Sequence, residues 1–169
     1  MFDNYRVEPL YMNFRILKYL LALTLFIGVL SHAGSQTAND SILNLIEEES
    51  DDIVKVNLYS ALAENYLQTN PDSALIIANK AIYLAKKIEF ERGIGDLYII
   101  LGHVRVIQND LITAMEYYLK ALAIYKQVDH KESLTTTYLL LGNVYLALSN
   151  YPYAMDYYQK GVVIADSLN

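Results

Sequence analysis

The chain has 169 residues, a formal net charge of −6 and no cysteine. That length leaves one small domain once a leader is set aside, and the lack of cysteine excludes disulfides, thiolate metal sites, a cysteine nucleophile and a lipid-modified N-terminal cysteine. From Gln36 onward ten Lys and Arg stand against seventeen Asp and Glu, with no basic cluster larger than Lys86-Lys87, which argues against direct binding of nucleic acid.

Residues 1–11 show no periodicity and precede a second methionine, so Met12 is a candidate start. Arg15 and Lys18 then form a short positive region, Tyr19 to Leu30 an apolar run broken only by Thr24 and Gly28, and Ser31 to Ser35 a small or polar stretch. That order is the layout of a secretory signal peptide over 12–35, with cleavage expected before Gly34 or before Gln36. A membrane-spanning helix needs about twenty apolar residues, so the shorter run favours a cleaved leader over an anchor. The expected location is the periplasm or cell envelope.

Residues 36–52 read as a leader helix and an acidic linker. Asp40 or Ser41 is expected to cap a short helix from Ile42 to Glu48, with Ile42, Leu45 and Ile46 on one side. The acidic run from Glu47 to Asp52 ends it, since carboxylates are unfavourable at a helix C-terminus; Asp51 and Asp52 favour the next helix start through the same dipole. The run lacks the alternating carboxylates and turn glycine of a calcium loop.

From 53 to 169 the chain repeats itself. The stretch Tyr98 to Tyr125 returns forty residues later as Tyr138 to Ala165, with Leu101 on Leu141, Gly102 on Gly142, Ala114 on Ala154 and Tyr117-Tyr118 on Tyr157-Tyr158. A fainter copy carries Tyr59, Leu62, Ala63 and Tyr66, then Ala74, Ala78 and Ala81, with a middle turn one residue shorter at Asn70-Pro71. Each second half is apolar or small at helical spacing: 74, 77, 78, 81, 82 and 85; then 114, 117, 118, 121, 122 and 125; then 154, 157, 158, 161, 162 and 165. The first halves carry the same stripe, so each copy is two helices joined by a short polar turn. Such a period signals a stacked repeat.

Details of these copies give further expectations. Gly102 and Gly142 each cost about 1 kcal/mol relative to Ala within a helix, so close helix contacts are expected there. Asn70 is expected to cap the helix that Pro71 opens. Lys86 and Lys87, and then Lys120 and Lys126, are expected to close second helices against the negative end of the dipole. The segments Ile88–Ile94 and Val128–Leu134, each an apolar residue on either side of a charged stretch, read as extended connections that account for the forty-residue period. The tyrosines are expected to pack in the core with their hydroxyls at its rim.

On Tyr138, Leu141, Gly142, Tyr145, Tyr151, Ala154, Tyr158 and Gly161 the chain resembles the tetratricopeptide repeat family. It departs from that pattern at Arg105, where an aromatic is usual, and in lacking the closing proline of each repeat. The resemblance implies an all-α solenoid of about three antiparallel helix pairs over 53–169, open at its C-terminal end, and a peptide-binding groove on the exposed side of each first helix. Carried onto this chain, the groove comprises Asn57, Ser60, Glu64, Leu67 and Gln68; Asp96, Ile99, His103, Val106 and Ile107; and Thr136, Leu139, Asn143, Leu146 and Ala147. The branch of the family that clamps a C-terminal carboxylate uses Lys, Arg and Asn at some of these places; only Asn143 matches, and a carboxylate needs charge-assisted donors. An apolar strip through Ile99, Val106, Leu139 and Leu146, beside a polar line at Glu64, His103 and Asn143, suits an apolar peptide or helix.

No phosphate loop, zinc-protease motif or nucleophile elbow occurs, and Gly93-Ile94-Gly95 begins a dinucleotide pattern that Tyr98 interrupts. No catalytic, cofactor or metal residues are assigned. His103, beside Glu64 or Asp96, is the one acid–base candidate; its plainer reading is a polar groove residue. His130 reads as solvated, and Arg105 as snorkelling to solvent or pairing with a carboxylate. The expected function is a non-enzymatic protein-interaction module, resembling the exported repeat domains of bacterial envelope sensors; a free-standing periplasmic scaffold is the alternative. The expected partner is a protein or peptide, including an apolar helix or another part of the same polypeptide, with self-association through the last helix.

Overall fold

Short turns divide the chain into helices of nearly equal length. The computed structural model describes residues 38–168; the candidate start at 1–11 and the signal segment at 12–35 lie outside the described residues. Helix α1 covers 38–48, followed by α2 (Asp52–Tyr66), α3 (Pro71–Lys87), α4 (Glu91–Ile107), α5 (Leu111–Gln127), α6 (Lys131–Ala147) and α7 (Tyr151–Asp166). No described helix is long and apolar enough to cross a membrane.

The sequence explains most of the boundaries. Asp51 caps α2 by accepting from the backbone N–H of Ile53 and Val54. Asn70 caps α3 through Ser73 N–H at 3.1 Å, with Pro71 in the first turn, where its missing N–H leaves no bond unmade. Lys86 and Lys87 lie in the last turn of α3 and Lys126 in that of α5. Lys120 falls in the middle of α5 instead, with its ammonium over the rings of Tyr117 at 5.1 Å and Tyr98 at 5.8 Å. Helix α1 is already helical at 38, so Asp40 and Ser41 lie within it and do not cap it. Of its apolar residues only Ile46 is buried, while Leu45 is exposed.

The expected extended connections at 88–94 and 128–134 are not there. Helices α4 and α6 begin at Glu91 and Lys131, so the forty-residue period consists of two 17-residue helices and two three-residue turns. In each of these turns the middle residue is left-handed: Glu89 (φ 57°), Asn109 (60°), Asp129 (52°) and Ser149 (57°). They stand twenty residues apart. Around Glu89, the N–H of Phe90 bonds Ala85 C=O at 2.9 Å and that of Glu89 bonds Lys86 C=O at 3.3 Å. This is the paired closure that satisfies the orphan carbonyls of a helix end. The connection between α2 and α3 spans four residues, 67–70, and has no left-handed position.

From Asn39 onward the helices form one unit, and each packs on its neighbours along the chain. One buried cluster joins Ala78, Ala81, Ile82 and Ala85 of α3 to Ile94, Leu97 and Leu101 of α4. Another joins Ala114, Tyr118, Ala121, Leu122 and Tyr125 of α5 to Leu134, Tyr138, Leu141 and Val144 of α6. The glycines mark the closest contacts. A Cβ on Gly102 or Gly142 would run into the ring of Tyr118 or Tyr158, and one on Gly95 would lie 2.8 Å from Tyr125. The conformational cost of those glycines is thus offset by ring packing that no other residue permits.

Candidate functional site

The first helices of the three pairs, α2, α4 and α6, together line an open cleft of about 490 Å³. Asn57, Ser60 and Glu64 enter it from α2, Asp96 and Ile99 from α4, and Thr136 from α6. These six are sequence-named groove residues, one helical turn apart on α2 because positions i, i+3 and i+7 share a face. Arg92, Tyr125, His130, Glu132 and Ser133 also line the cleft, and sequence reasoning assigned none of them to it.

The chemistry of the cleft is polar and acidic. Asp96 lines the cleft, and there Tyr125 Oη donates to its Oδ1 at 2.6 Å and Arg92 Nε stands 3.9 Å from its Oδ2. Tyr125 is itself buried in the core. Burial raises the pKa of Glu64 above the ordinary carboxylate value, and the charge of Asp96 raises it further. Arg92 is the one Lys or Arg in the lining, against Glu64, Asp96 and Glu132. His130 is not simply solvated: half-buried at the cap of α6, its Nδ1 accepts from Ser133 N–H at 3.3 Å. The same Nδ1 stands 3.7 Å from Glu132 Oε2.

The other named residues lie elsewhere. His103, Val106 and Asn143 line a separate, smaller and mostly apolar pocket of about 170 Å³ with Leu111, Tyr118, Leu140, Val144 and Ala147. His103 meets the Tyr118 ring edge-on at 5.8 Å, and burial lowers its pKa. It therefore shares no pocket with Glu64 or Asp96, so the acid–base grouping considered for them does not form. Ile107, Leu139 and Leu146 are exposed and line neither pocket. Of the apolar strip expected through Ile99, Val106, Leu139 and Leu146, Ile99 is half-buried against the α5–α6 cluster, while Val106, Leu139 and Leu146 are exposed, with Val106 lining the small pocket and Leu139 beside Gly161 of α7. Arg105 is half-buried and its guanidinium end lies in an exposed hydrogen bond, as snorkelling implies. Its Nη1 donates to Gln108 at 2.8 Å, Gln108 donates in turn to Asp72 at 3.3 Å, and its Nε is buried without a hydrogen-bond partner. Among the described residues no group of three or more His, Asp and Glu side chains is placed to hold a metal ion.

Comparison with known proteins agrees with this architecture. Residues 94–166 match a family model described as tetratricopeptide repeat. The fold is similar to the tetratricopeptide repeat domain of Arabidopsis FLU, with a TM-score of 0.62 and 18% identity over 69% of this chain and 99% of that one. It is also similar to a signal transduction ATPase with numerous domains from Pyrococcus horikoshii, a protein with a tetratricopeptide repeat sensor. There the TM-score is 0.66 and the identity 23%, over 75% of this chain and 20% of that one. No curated protein matches the sequence. Residues 94–166 thus match tetratricopeptide repeats, within an all-α stack of helix pairs.

Proposed function

We propose that this chain is the partner-binding part of an exported sensor, and that the cleft between α2, α4 and α6 is where a segment of another polypeptide docks. The observation that carries the reading is the cleft itself: three successive first helices turn Asn57, Ser60, Glu64, Asp96 and Thr136 toward one space. Its surplus of carboxylates favours a segment with a Lys or Arg side chain over the purely apolar peptide that the sequence suggested, because charge-assisted hydrogen bonds are about twice as strong as neutral ones. The reading assigns no catalytic step to the domain. Export is supported by the basic, apolar and small-residue order of 12–35, and a sensing role by the likeness in fold to a repeat sensor. A free-standing assembly scaffold would use the same cleft and differ only in having no output domain.

The test is to express the full chain with its leader and pan random displayed peptides on the exported product. Enriched sequences should carry Lys or Arg, and the double variant Glu64→Gln, Asp96→Asn should lose them. Enrichment of apolar sequences that the double variant binds equally well would place binding elsewhere. Intact mass of the same product should show the loss of the first 33 or 35 residues; a retained leader would overturn the compartment.

A further inference from the structure

Lining up the first helices of the three pairs on Leu62, Leu101 and Leu141 brings three cleft residues into register: Asn57, Asp96 and Thr136. Only the middle one carries a charge. Lining up the second helices on Ala74, Ala114 and Ala154 likewise sets Tyr125 against Ala85 and Ala165. The middle pair thus departs from its neighbours twice, and the two departures touch, since Tyr125 Oη donates to Asp96 Oδ1 at 2.6 Å. A third departure makes room for the ring. Gly95 stands where the other pairs have Val56 and Thr135, and an added Cβ there would lie 2.8 Å from Tyr125 Cε1. Because the other pairs close with alanine at the place of Tyr125, stacking itself does not require a phenol there.

The arrangement restrains one carboxylate. Tyr125 is 1% exposed and its ring lies 6.3 Å from that of His130, so the hydroxyl has little freedom to turn away. Burial raises its pKa, which keeps the phenol a donor. A bond of this length is a charge-assisted O–H···O⁻ bond, among the strong ones. Asp96 therefore has Oδ1 committed to the core and Oδ2 to offer. A guanidinium fits a carboxylate best as a fork, with two parallel N–H···O bonds that use both oxygens. The chain's own Arg92 illustrates the loss: one helical turn away, it stands 3.9 Å from Oδ2 and forms no fork. An ammonium is a compact point charge that a single acceptor oxygen can hold.

We propose that Tyr125 is a positioning residue that sets the preference of the cleft for Lys over Arg, by holding Asp96 so that it accepts an incoming cation through Oδ2 alone. The inference rests on the reading of the cleft as the docking site of a cationic segment, and the experiment separates the two. Random displayed peptides are panned on the exported full chain, on Tyr125→Phe, on Asp96→Asn and on the variant with both exchanges. Phe keeps the ring that Gly95 accommodates, and the Asp96 side chain is 40% exposed, so water can replace the lost donor and the helical circular dichroism should not change. On the wild type, Lys should be enriched over Arg by about threefold or more relative to the library. On Tyr125→Phe cationic peptides should still bind while that ratio falls to about one, because the freed Oδ1 admits the guanidinium fork. In the Asp96→Asn background Tyr125→Phe should leave the ratio where it is, since the two residues act as one unit. A purely structural ring would instead lower binding in both backgrounds and never move the ratio. Preference of the wild type for Arg, or a ratio that Tyr125→Phe does not shift, overturns the proposal and leaves the cationic reading of the cleft standing. Wild-type pools enriched in neither Lys nor Arg overturn that reading, and the proposal with it.

Discussion

At the level of single residues, glycine has two different uses in this chain. At Gly102 the ring of Tyr118 occupies the space a side chain would need, and Tyr118 is fully buried, so the ring has little room to yield. At Gly161 an added Cβ would find Leu139 Cδ2 at 3.4 Å, an ordinary van der Waals contact, and the two preceding pairs have Ala81 and Ala121 there. Gly102→Ala should therefore destabilise the fold by about 1 to 3 kcal/mol through overpacking, while Gly161→Ala should stabilise it by about 0.5 to 1 kcal/mol through helix propensity. Chemical denaturation of the two variants should show shifts of opposite sign; shifts of the same sign would contradict this use of space. His103 supplies a pH dependence whose direction is fixed by its burial. Its folded pKa lies below the ordinary 6.5, so the unfolded chain takes up the proton first as the pH falls. The stability is complete above about pH 6.5, declines below it, and levels off once the folded pKa is passed. Glu64, whose pKa is raised, acts in the opposite direction: folding opposes its ionisation, so its cost appears as the pH rises through its range. Melts of wild type and His103→Gln between pH 7 and pH 5 should separate the two, with the variant losing less stability on acidification.

At the level of the helix and its turn, the left-handed residues are the clearest place where the sequence is not at its optimum. Glycine favours that conformation and Asn and Asp tolerate it, so only Asn109 and Asp129 of the four are such residues. Glu89 is exposed, and the two hydrogen bonds that close the turn use backbone atoms alone. Glu89→Gly should raise stability by about 0.5 to 1 kcal/mol, the relief of left-handed strain exceeding the added freedom of the unfolded chain. Asn109→Gly should change it less. Urea midpoints would order the two, and a gain at Asn109 larger than at Glu89 would mean that the side chains, not the backbone, determine these turns. The turns at Asn109-Asp110 and Ser149-Asn150 were legible as short polar stretches, whereas at 88–94 and 128–134 the apolar residues flanking a charged stretch pointed to longer connections, although Gly93 and Gly95 lie inside α4. Gly95 is helical because Tyr125 needs its space, and Gly93 because Phe90 does. The charged pattern pointed to a connection where tertiary packing required a helix.

At the level of the whole molecule, that one misreading decided which part of the site was legible. The phase of Leu101 on Leu141 and of Gly102 on Gly142 placed the helix pairs, and with them the face that carries Glu64, Asp96, Ile99 and Thr136. Arg92, His130, Glu132 and Ser133 fall within the two segments read as connections, so their contribution to the cleft was hidden until α4 and α6 were seen to begin at 91 and 131. Tyr125 was concealed differently: its ring belongs to the core stripe, and only the length of a tyrosine brings its hydroxyl to Asp96. Ile99 and Leu139 differ in exposure because equivalent positions in a repeat share an orientation but not a neighbour. The even spacing of the turns has a wider consequence. One residue added inside a helix would rotate everything beyond it by about 100°, displacing the carboxylates of one pair from those of the next. A whole forty-residue cassette added at any turn would preserve every angle. Lineages of such a chain can therefore vary in reach far more freely than in pitch, extending the cleft rung by rung while each existing rung keeps its contacts.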